Sequence, residues 1–274
     1  FLMKDKTLFR FMESPATLDL MQSAVPETYT NLLKGGKERL YSNRMMEYGL
    51  YDAAGYESLD RKRMLEVLFF LVKGVKSPDE TRVLDMLNVK YVVSPKIFEA
   101  KGYKLLKKSD ITNLYENMNV LPRAFLAERA VVLKTPREIC AKFQERSWDP
   151  LKEVVLEEAP VLQGTMCRVQ GPVNKKESAE ITKYAPNEVM VEACVKAPKF
   201  LVLSDSYYPG WKVYVDGRPD KIYAANYIVR AVYLGPGEHT VRFVFDPFSF
   251  KIGLYISLTT IILILLYIVY KRRL

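Results

Sequence analysis

The side chains best suited to chemistry lie in one stretch of the sequence. Tyr207, Tyr208, Trp211, Tyr214, Tyr223 and Tyr227 fall close together, and flat aromatic rings stack on the apolar faces of sugars. Asn226 and Arg230 beside them bring hydrogen-bond donors that suit a glycan hydroxyl or a lipid phosphate. The opposing reading is that Tyr and Trp are ordinary core residues of a β domain whose polar tips reach water or backbone. Six residues therefore stand as glycan- or lipid-binding candidates: Tyr207, Tyr208, Trp211, Asn226, Tyr227 and Arg230. Asp205, Asp216, Asp220 and Asp246 offer the carboxylate pair that glycoside hydrolysis needs. Each, however, sits where a turn or strand end places an aspartate to bond its own backbone. The triplet Gly35-Gly36-Lys37 lacks the frame of a phosphate loop, and no nucleophile with a base and no dinucleotide fingerprint is found. Cys140, Cys167 and Cys194 form no C-x-x-C pair, and the sole histidine, His239, reads as part of a hairpin turn. A zinc site needs several soft ligands close together, so no metal, no cofactor and no catalytic residue is expected, and the cysteines read as buried, inert thiols.

Strands must carry these side chains. Val189, Val191, Ala193 and Val195 alternate with polar or mixed residues, and further apolar runs follow at 200–203, 211–215, 228–234 and 240–245. Pro209-Gly210, Asp216-Gly217 and Gly235-Pro236-Gly237 supply turn chemistry between them. The spacing predicts an antiparallel β-sandwich, jelly-roll-like, over residues 126–248. Residues 1–125 read as a small mixed α/β unit. Ser14-Pro15 is a helix start. Met64, Val67, Leu68 and Leu71 recur at helical spacing before a stop at Gly74. Ser77-Pro78-Asp79-Glu80 is a capping box whose helix presents Val83, Leu84 and Leu87 before a strand at 89–93. A second box, Thr135-Pro136-Arg137-Glu138, opens a helix with Ile139 and Phe143 inward, between strands at 124–133 and 154–156. The fold class is α+β: the α/β unit, then the sandwich, then one C-terminal transmembrane helix.

Residues 1–248 are numerous enough to bury a sizeable core. Lys and Arg number 41 against 32 Asp and Glu, a net charge of +9. The basic residues are scattered instead of forming a run with interleaved aromatics, which argues against nucleic acid as a partner. They suit a surface close to anionic lipid headgroups, where each Lys or Arg is worth about 1 kcal/mol.

Residues 252–270 form an uncharged run of about 28 Å as a helix, close to the hydrocarbon thickness of a bilayer. Ser257, Thr259 and Thr260 can return their hydroxyls to carbonyls one turn back, and Tyr255, Tyr267 and Tyr270 lie towards its ends. Lys271, Arg272 and Arg273 follow, so the positive-inside bias puts residues 271–274 in the cytoplasm as a tail and the soluble part outside. The opening FLMKDKTLFRF has no signal-peptide pattern. An upstream signal peptide or earlier transmembrane helices of a parent protein are therefore expected to deliver the domain across the membrane.

The string at 204–217, SDSYYPGWKVYVDG, resembles the C-terminal region of the bacterial membrane protein YfhO family. ANYIVRAV at 225–232, GPGEH at 235–239 and DPFSFKIG at 246–253 add to the resemblance. GYESL at 55–59, LNVKYV at 87–92, YEN at 115–117 and LPRAF at 121–125 fit in order upstream. The resemblance implies a polytopic glycosyltransferase of the C-type superfamily, which takes sugar from a polyprenyl-phosphate carrier outside the cytoplasmic membrane. The acidic catalytic residues of such enzymes lie in an early loop with no counterpart here. This chain is then expected to be the non-catalytic outer domain with the last helix, positioning an acceptor or supporting the membrane bundle. Its partners would be the bilayer, upstream transmembrane helices of the parent, and a cell-envelope glycan or polyprenyl-phosphate sugar. The alternative is a stand-alone, membrane-anchored carbohydrate-binding or structural module of the cell envelope.

Overall fold

The computed structural model describes residues 5, 7–13, 51–53, 63, 66–67, 77–109, 112–161 and 176–273. The expectations at Ser14-Pro15, 35–37, 55–59, Met64, Leu68, Leu71, Gly74 and Cys167 lie outside these residues. Arg63, Glu66 and Val67 are helical, in step with the spacing read around them.

The described residues ahead of the terminal helix form three sheets. The first runs in the order β2-β1-β3-β5-β4, from β1 (Arg10–Glu13), β2 (Tyr51–Asp52), β3 (Val89–Ser94), β4 (Tyr103–Lys108) and β5 (Asn113–Asn117). Strand β1 lies parallel to both β2 and β3, and the other pairs are antiparallel. The capping box read at Ser77 does not form. Pro78–Glu80 is a single 3-10 turn, with Ser77 and Thr81 both extended and no side-chain cap. The Ser77 hydroxyl bonds the Asp79 carboxylate, and the Thr81 hydroxyl donates to the Phe143 carbonyl at 3.0 Å. The Ser77 hydroxyl is thus spent on Asp79, and the Glu80 amide donates to the Ser77 carbonyl at 3.1 Å instead. Helix α1 (Val83–Met86) starts afresh and buries Val83 and Leu84. It hands over to β3 at Asn88, whose φ of 60° is the left-handed conformation Asn tolerates at a helix end.

The second sheet has the order β6-β11-β15-β14-β8-β7. It comprises β6 (Ala124–Ala127), β7 (Arg129–Val132), β8 (Glu153–Leu156), β11 (Lys199–Ser206), β14 (Tyr223–Ala225) and β15 (Val229–Leu234). β7 and β8 run parallel, joined through α2 (Pro136–Gln144). The box at Thr135 forms as read: the Glu138 amide donates to the Thr135 hydroxyl oxygen, and the Thr135 amide donates to the Glu138 carboxylate at 3.0 Å. The third sheet is antiparallel, in the order β13-β12-β16-β10-β9. Its strands are β9 (Ser178–Ala185), β10 (Glu188–Val195), β12 (Trp211–Val215), β13 (Arg218–Asp220) and β16 (Gly237–Phe245). A two-residue turn at Asp216 and Gly217, both at positive φ, joins β12 to β13, the geometry that matches strand twist.

One face of the second sheet meets the third in an aliphatic layer, with Leu201, Leu203 and Val232 against Val191, Val213 and Phe243. Its other face, with Phe200, Val202 and Ala231, packs on Ile139 and Phe143 of α2 and reaches Met12 and Val92 of the first sheet. Buried on both sides, β11 reads as a continuous apolar run. β16, with one wet face, alternates: Val241 and Phe243 turn inward while Thr240 and Arg242 are exposed. His239 is part of that strand, not of the turn before it. The Gly235-Pro236 pair completes the reversal, and the buried ring lies 2.9 Å from both Asp216 Oδ2 and the Gly235 carbonyl.

Mostly sheet, with few helices and one apolar helix at the C-terminal end, the chain is α+β. That helix, α3 (Phe248–Arg273), is long and apolar enough to cross a membrane, and none of the described residues buries its apolar window. Thr259 and Thr260 donate to the carbonyls of Tyr255 and Ile256 at 2.8 and 2.9 Å, which spares the hydrocarbon two unpaired hydroxyls.

A candidate juxtamembrane cleft

The chain enters α3 through Asp246-Pro247, and the surroundings of that step are tightly tied. The Asp246 carboxylate accepts from Lys212 Nζ at 2.6 Å and from Lys251 Nζ at 2.8 Å, and its amide donates to the Gly210 carbonyl at 2.8 Å. These ammonium groups, Lys212 foremost, hold the Asp246 carboxyl below its ordinary 3.8, and Asp246 in turn raises the Lys212 ammonium. Gly210 is required on two grounds. Its φ is 101°, and a Cβ there would lie 3.0 Å from both the Phe245 ring and Pro247 Cβ. Trp211 packs on Phe245 at 5.4 Å between centroids, and Tyr208 approaches the same ring at 6.5 Å. The aromatic cluster thus stands at the root of the membrane helix.

Two clefts flank Trp211. One, of about 390 Å³, is lined by Tyr207, Tyr208, Lys212, Tyr214 and Asp220 as well as Trp211. The other, of about 380 Å³, has Tyr51, Tyr184 and Trp211 as aromatic walls and Arg10, Asp205 and Arg230 as its charged groups.

All three sheets meet at this second cleft. Asp205, buried near the end of β11, accepts on Oδ1 from Arg10 Nη2 at 2.9 Å and from the Tyr184 hydroxyl at 3.1 Å. On Oδ2 it accepts from Arg230 Nη2 at 3.3 Å. Arg10, from β1, also donates through Nη1 to the Leu87 carbonyl at 2.9 Å, to the Ser204 hydroxyl at 2.9 Å and to the Ser204 carbonyl. Arg123, just ahead of β6, donates to the Tyr184 hydroxyl at 2.6 Å and lies 4.8 and 5.0 Å from the ring centroids of Tyr51 and Tyr184. The Arg230 guanidinium lies 3.7 Å over the Trp211 ring, close enough for a strong cation–π contact. Burial, and then the like charge of Arg123, bring the Arg10 pKa down to about 10 against the pull of Asp205. The Tyr184 phenol is pushed up by burial and then by the Asp205 charge.

Residues 160–257 match the family model described as bacterial membrane protein YfhO. That stretch of the chain is similar to the YfhO family. A curated relative, the uncharacterized protein YfhO of Bacillus subtilis (strain 168), is 26% identical over 99 residues. The alignment covers 36% of this chain and 12% of that relative, so the chain spans a small part of the length of the curated protein it matches. No solved structure matches significantly. The match to bacterial membrane proteins and the apolar terminal helix together support membrane localisation.

The YfhO-matched stretch takes in Tyr184, Asp205, Trp211 and Arg230, whereas Arg10, Tyr51 and Arg123 come from outside it. Of the residues singled out in the sequence, Tyr207, Tyr208 and Trp211 share a cleft, with Tyr208 half exposed, and Trp211 and Arg230 share the other. Asn226 and Tyr227 line neither. Asn226 is buried at φ 45°, where its Oδ1 accepts from the Val155 amide at 2.8 Å and its own amide donates to the Val155 carbonyl at 2.7 Å. It pins the β14–β15 hairpin to β8. The Tyr227 ring lies under the Arg63 guanidinium at 5.0 Å, and burial with a hydrogen bond to Glu66 pushes its phenol up to about 12. Tyr223 is core, its hydroxyl accepting from the Val161 amide. Asp216 accepts from the Thr240 amide and meets the His239 ring, Asp220 accepts from the next amide, and Asp246 pairs with Lys212 and Lys251 at the surface. Asp205 instead sits inside a strand and collects charged partners. Arg10, Tyr51, Arg123 and Tyr184 share no spacing, and the one local signal that pointed to them was an aspartate inside the apolar run of β11. Among the described residues no group of His, Cys, Asp and Glu is placed to hold a metal ion. Cys140 and Cys194 are free thiols, and burial raises the pKa of the first.

Proposed function

We propose that this chain is the extracytoplasmic, non-catalytic C-terminal region of a polytopic membrane glycosyltransferase of the C-type superfamily, one that uses a polyprenyl-phosphate-linked sugar. Its clefts hold a sugar-bearing acceptor at headgroup height, and the three basic residues that end α3 face the cytoplasm. The likeness of the 204–253 motifs to the YfhO family supports the reading, as does the match over residues 160–257. The observation that carries it is the position of Trp211: it lines both clefts and packs on Phe245, immediately ahead of the membrane helix. A ligand resting on that ring is held close to the bilayer surface, where tethering raises the effective concentration of lipid-linked or surface glycans. No group in the clefts needs to act on the sugar for this role.

The test uses the full chain in phosphatidylcholine nanodiscs, titrated calorimetrically with neutral cell-envelope oligosaccharides. Binding in the micromolar to millimolar range is expected. Tyr208→Ala should weaken it by about three- to tenfold, the worth of one aromatic contact, at an unchanged unfolding temperature, since the ring is half exposed. Absence of binding by the unaltered chain sinks the reading. Labelling of an Asp220→Cys variant by an impermeant maleimide on intact cells tests the orientation, and protection until lysis reverses it.

A further inference from the structure

Arg123, beside the Trp211–Arg230 cleft, is the charge that its surroundings leave unmet among the described residues. Asp205 is the acid paired there with Arg10 and Arg230. Arg123 pairs with no acid among the described residues, although it is 2% exposed. It spends one Nη on the Tyr184 hydroxyl, while its Nε and other Nη are buried without a hydrogen-bond partner. A buried guanidinium with open donors is costly unless an anion joins it. Its two flanking rings, Tyr51 and Tyr184, both line the cleft, so its charge acts on whatever enters. Arg10, depressed by that same charge, has a corresponding gain from a second anion.

We propose that this cleft binds a phosphate group carried on a sugar or a lipid: Arg10, Arg123 and Arg230 supply the charge, and Tyr51, Tyr184 and Trp211 form the walls against which the carrier rests. Guanidinium forks match phosphate oxygens in pairs. Arg123 without an acid, and Arg10 with a share of Asp205, suit a phosphate monoester, which carries about −1.5 to −2 charges near neutral pH, better than a single carboxylate. A volume of about 380 Å³ fits a phosphorylated monosaccharide or a lipid headgroup. The site deepens the acceptor-holding reading by giving the ligand a charge. It rests on that reading for the sugar, not for the phosphate.

The experiment follows thermal unfolding and calorimetric binding of the full chain in phosphatidylcholine nanodiscs with glucose 1-phosphate, inorganic phosphate, glucose, or chloride at matched ionic strength. Glucose 1-phosphate should bind at least tenfold more tightly than glucose and raise the unfolding temperature, because a ligand of the native state stabilises it. Arg123→Gln keeps a side-chain amide within reach of Tyr184 and removes a like charge beside Arg10. It should lower phosphate affinity at least tenfold without lowering the ligand-free unfolding temperature. Tyr51→Ala, at a ring 45% exposed, should weaken glucose 1-phosphate more than inorganic phosphate, and it serves where Arg123→Gln fails to fold. A second arm replaces part of the phosphatidylcholine with phosphatidic acid. Stabilisation by that lipid alone assigns the phosphate to a headgroup, and stabilisation by glucose 1-phosphate alone assigns it to a sugar. Equal binding of glucose and glucose 1-phosphate, no stabilisation by either phosphate carrier, or phosphate binding indifferent to both variants overturns the site. Neutral-oligosaccharide binding that survives such a result leaves the acceptor role standing without the phosphate.

Discussion

Strand β11 passes through two unlike environments within a few residues. Leu201 and Leu203 lie in the aliphatic layer between the second and third sheets, where the packing is set by shape. Asp205, on the same strand, lies where the first sheet joins the other two and gathers guanidiniums and a phenol. The difference teaches that the two stretches answer to different physics. In the aliphatic layer a lost side chain leaves a void, whereas at the junction it leaves a charge or a donor unmet, and a ligand can supply what is missing.

Breaking the aliphatic side should have the largest effect. Leu201→Ala is expected to cost about 3–4 kcal/mol, read from denaturant unfolding of the chain in detergent, because a fully buried leucine is lost with little collapse. A cost under about 1 kcal/mol would erase the contrast. Asp205→Asn should cost less, about 2–3 kcal/mol, since an oxygen remains to accept while the charge is gone. Adding Arg123→Gln to Asp205→Asn sharpens the comparison: the pair should cost less than the sum of the single changes by at least about 0.5 kcal/mol, whereas Leu201→Ala and Asp205→Asn should add. Additivity at the charged junction would mean that Arg123 and Asp205 do not sense one another. Gly210→Ala, where the junction meets the membrane helix, should cost about 1–2 kcal/mol for its left-handed backbone, with the Phe245–Pro247 approach adding to it. Loss of the Trp211 fluorescence environment before global unfolding is the expected signature.

The smallest effect concerns pH. The folded pKa of Asp246 lies below its ordinary 3.8 because Lys212 and Lys251 bond the carboxylate. The contribution of that clamp is therefore fully present above about 3.8 and is lost as pH falls through the lower folded value. Asp246→Asn should remove this acid-side step from the unfolding profile, while Leu201→Ala should leave it in place.

The elements around these sites were legible to different degrees. β10, β12 and β16 show in the sequence as alternation and turn chemistry, and the Thr135 box shows as a four-residue pattern, because each is settled within a few residues. The box at Ser77 has the same pattern and fails, since the Ser77 hydroxyl bonds the Asp79 carboxylate and the Glu80 amide donates to the Ser77 carbonyl instead. Tyr207, Tyr208 and Trp211 could be grouped because they are near one another in the chain and share a cleft. Asn226 and Tyr227 were grouped with them for the same reason, yet the positive φ at both residues turns them to the opposite edge of the hairpin, against β8 and Arg63.

By itself the sequence determined that the chain is α+β, that its last segment is apolar enough for a bilayer, and where its turns fall. Those properties arise from side-chain periodicity and local backbone preference, which need no distant partner. Only the tertiary structure decided that Arg10 meets Asp205 across 195 positions and that Arg123 is buried behind two tyrosines. Those contacts depend on which strands become neighbours, and strand pairing is a choice among distant segments that no local pattern encodes.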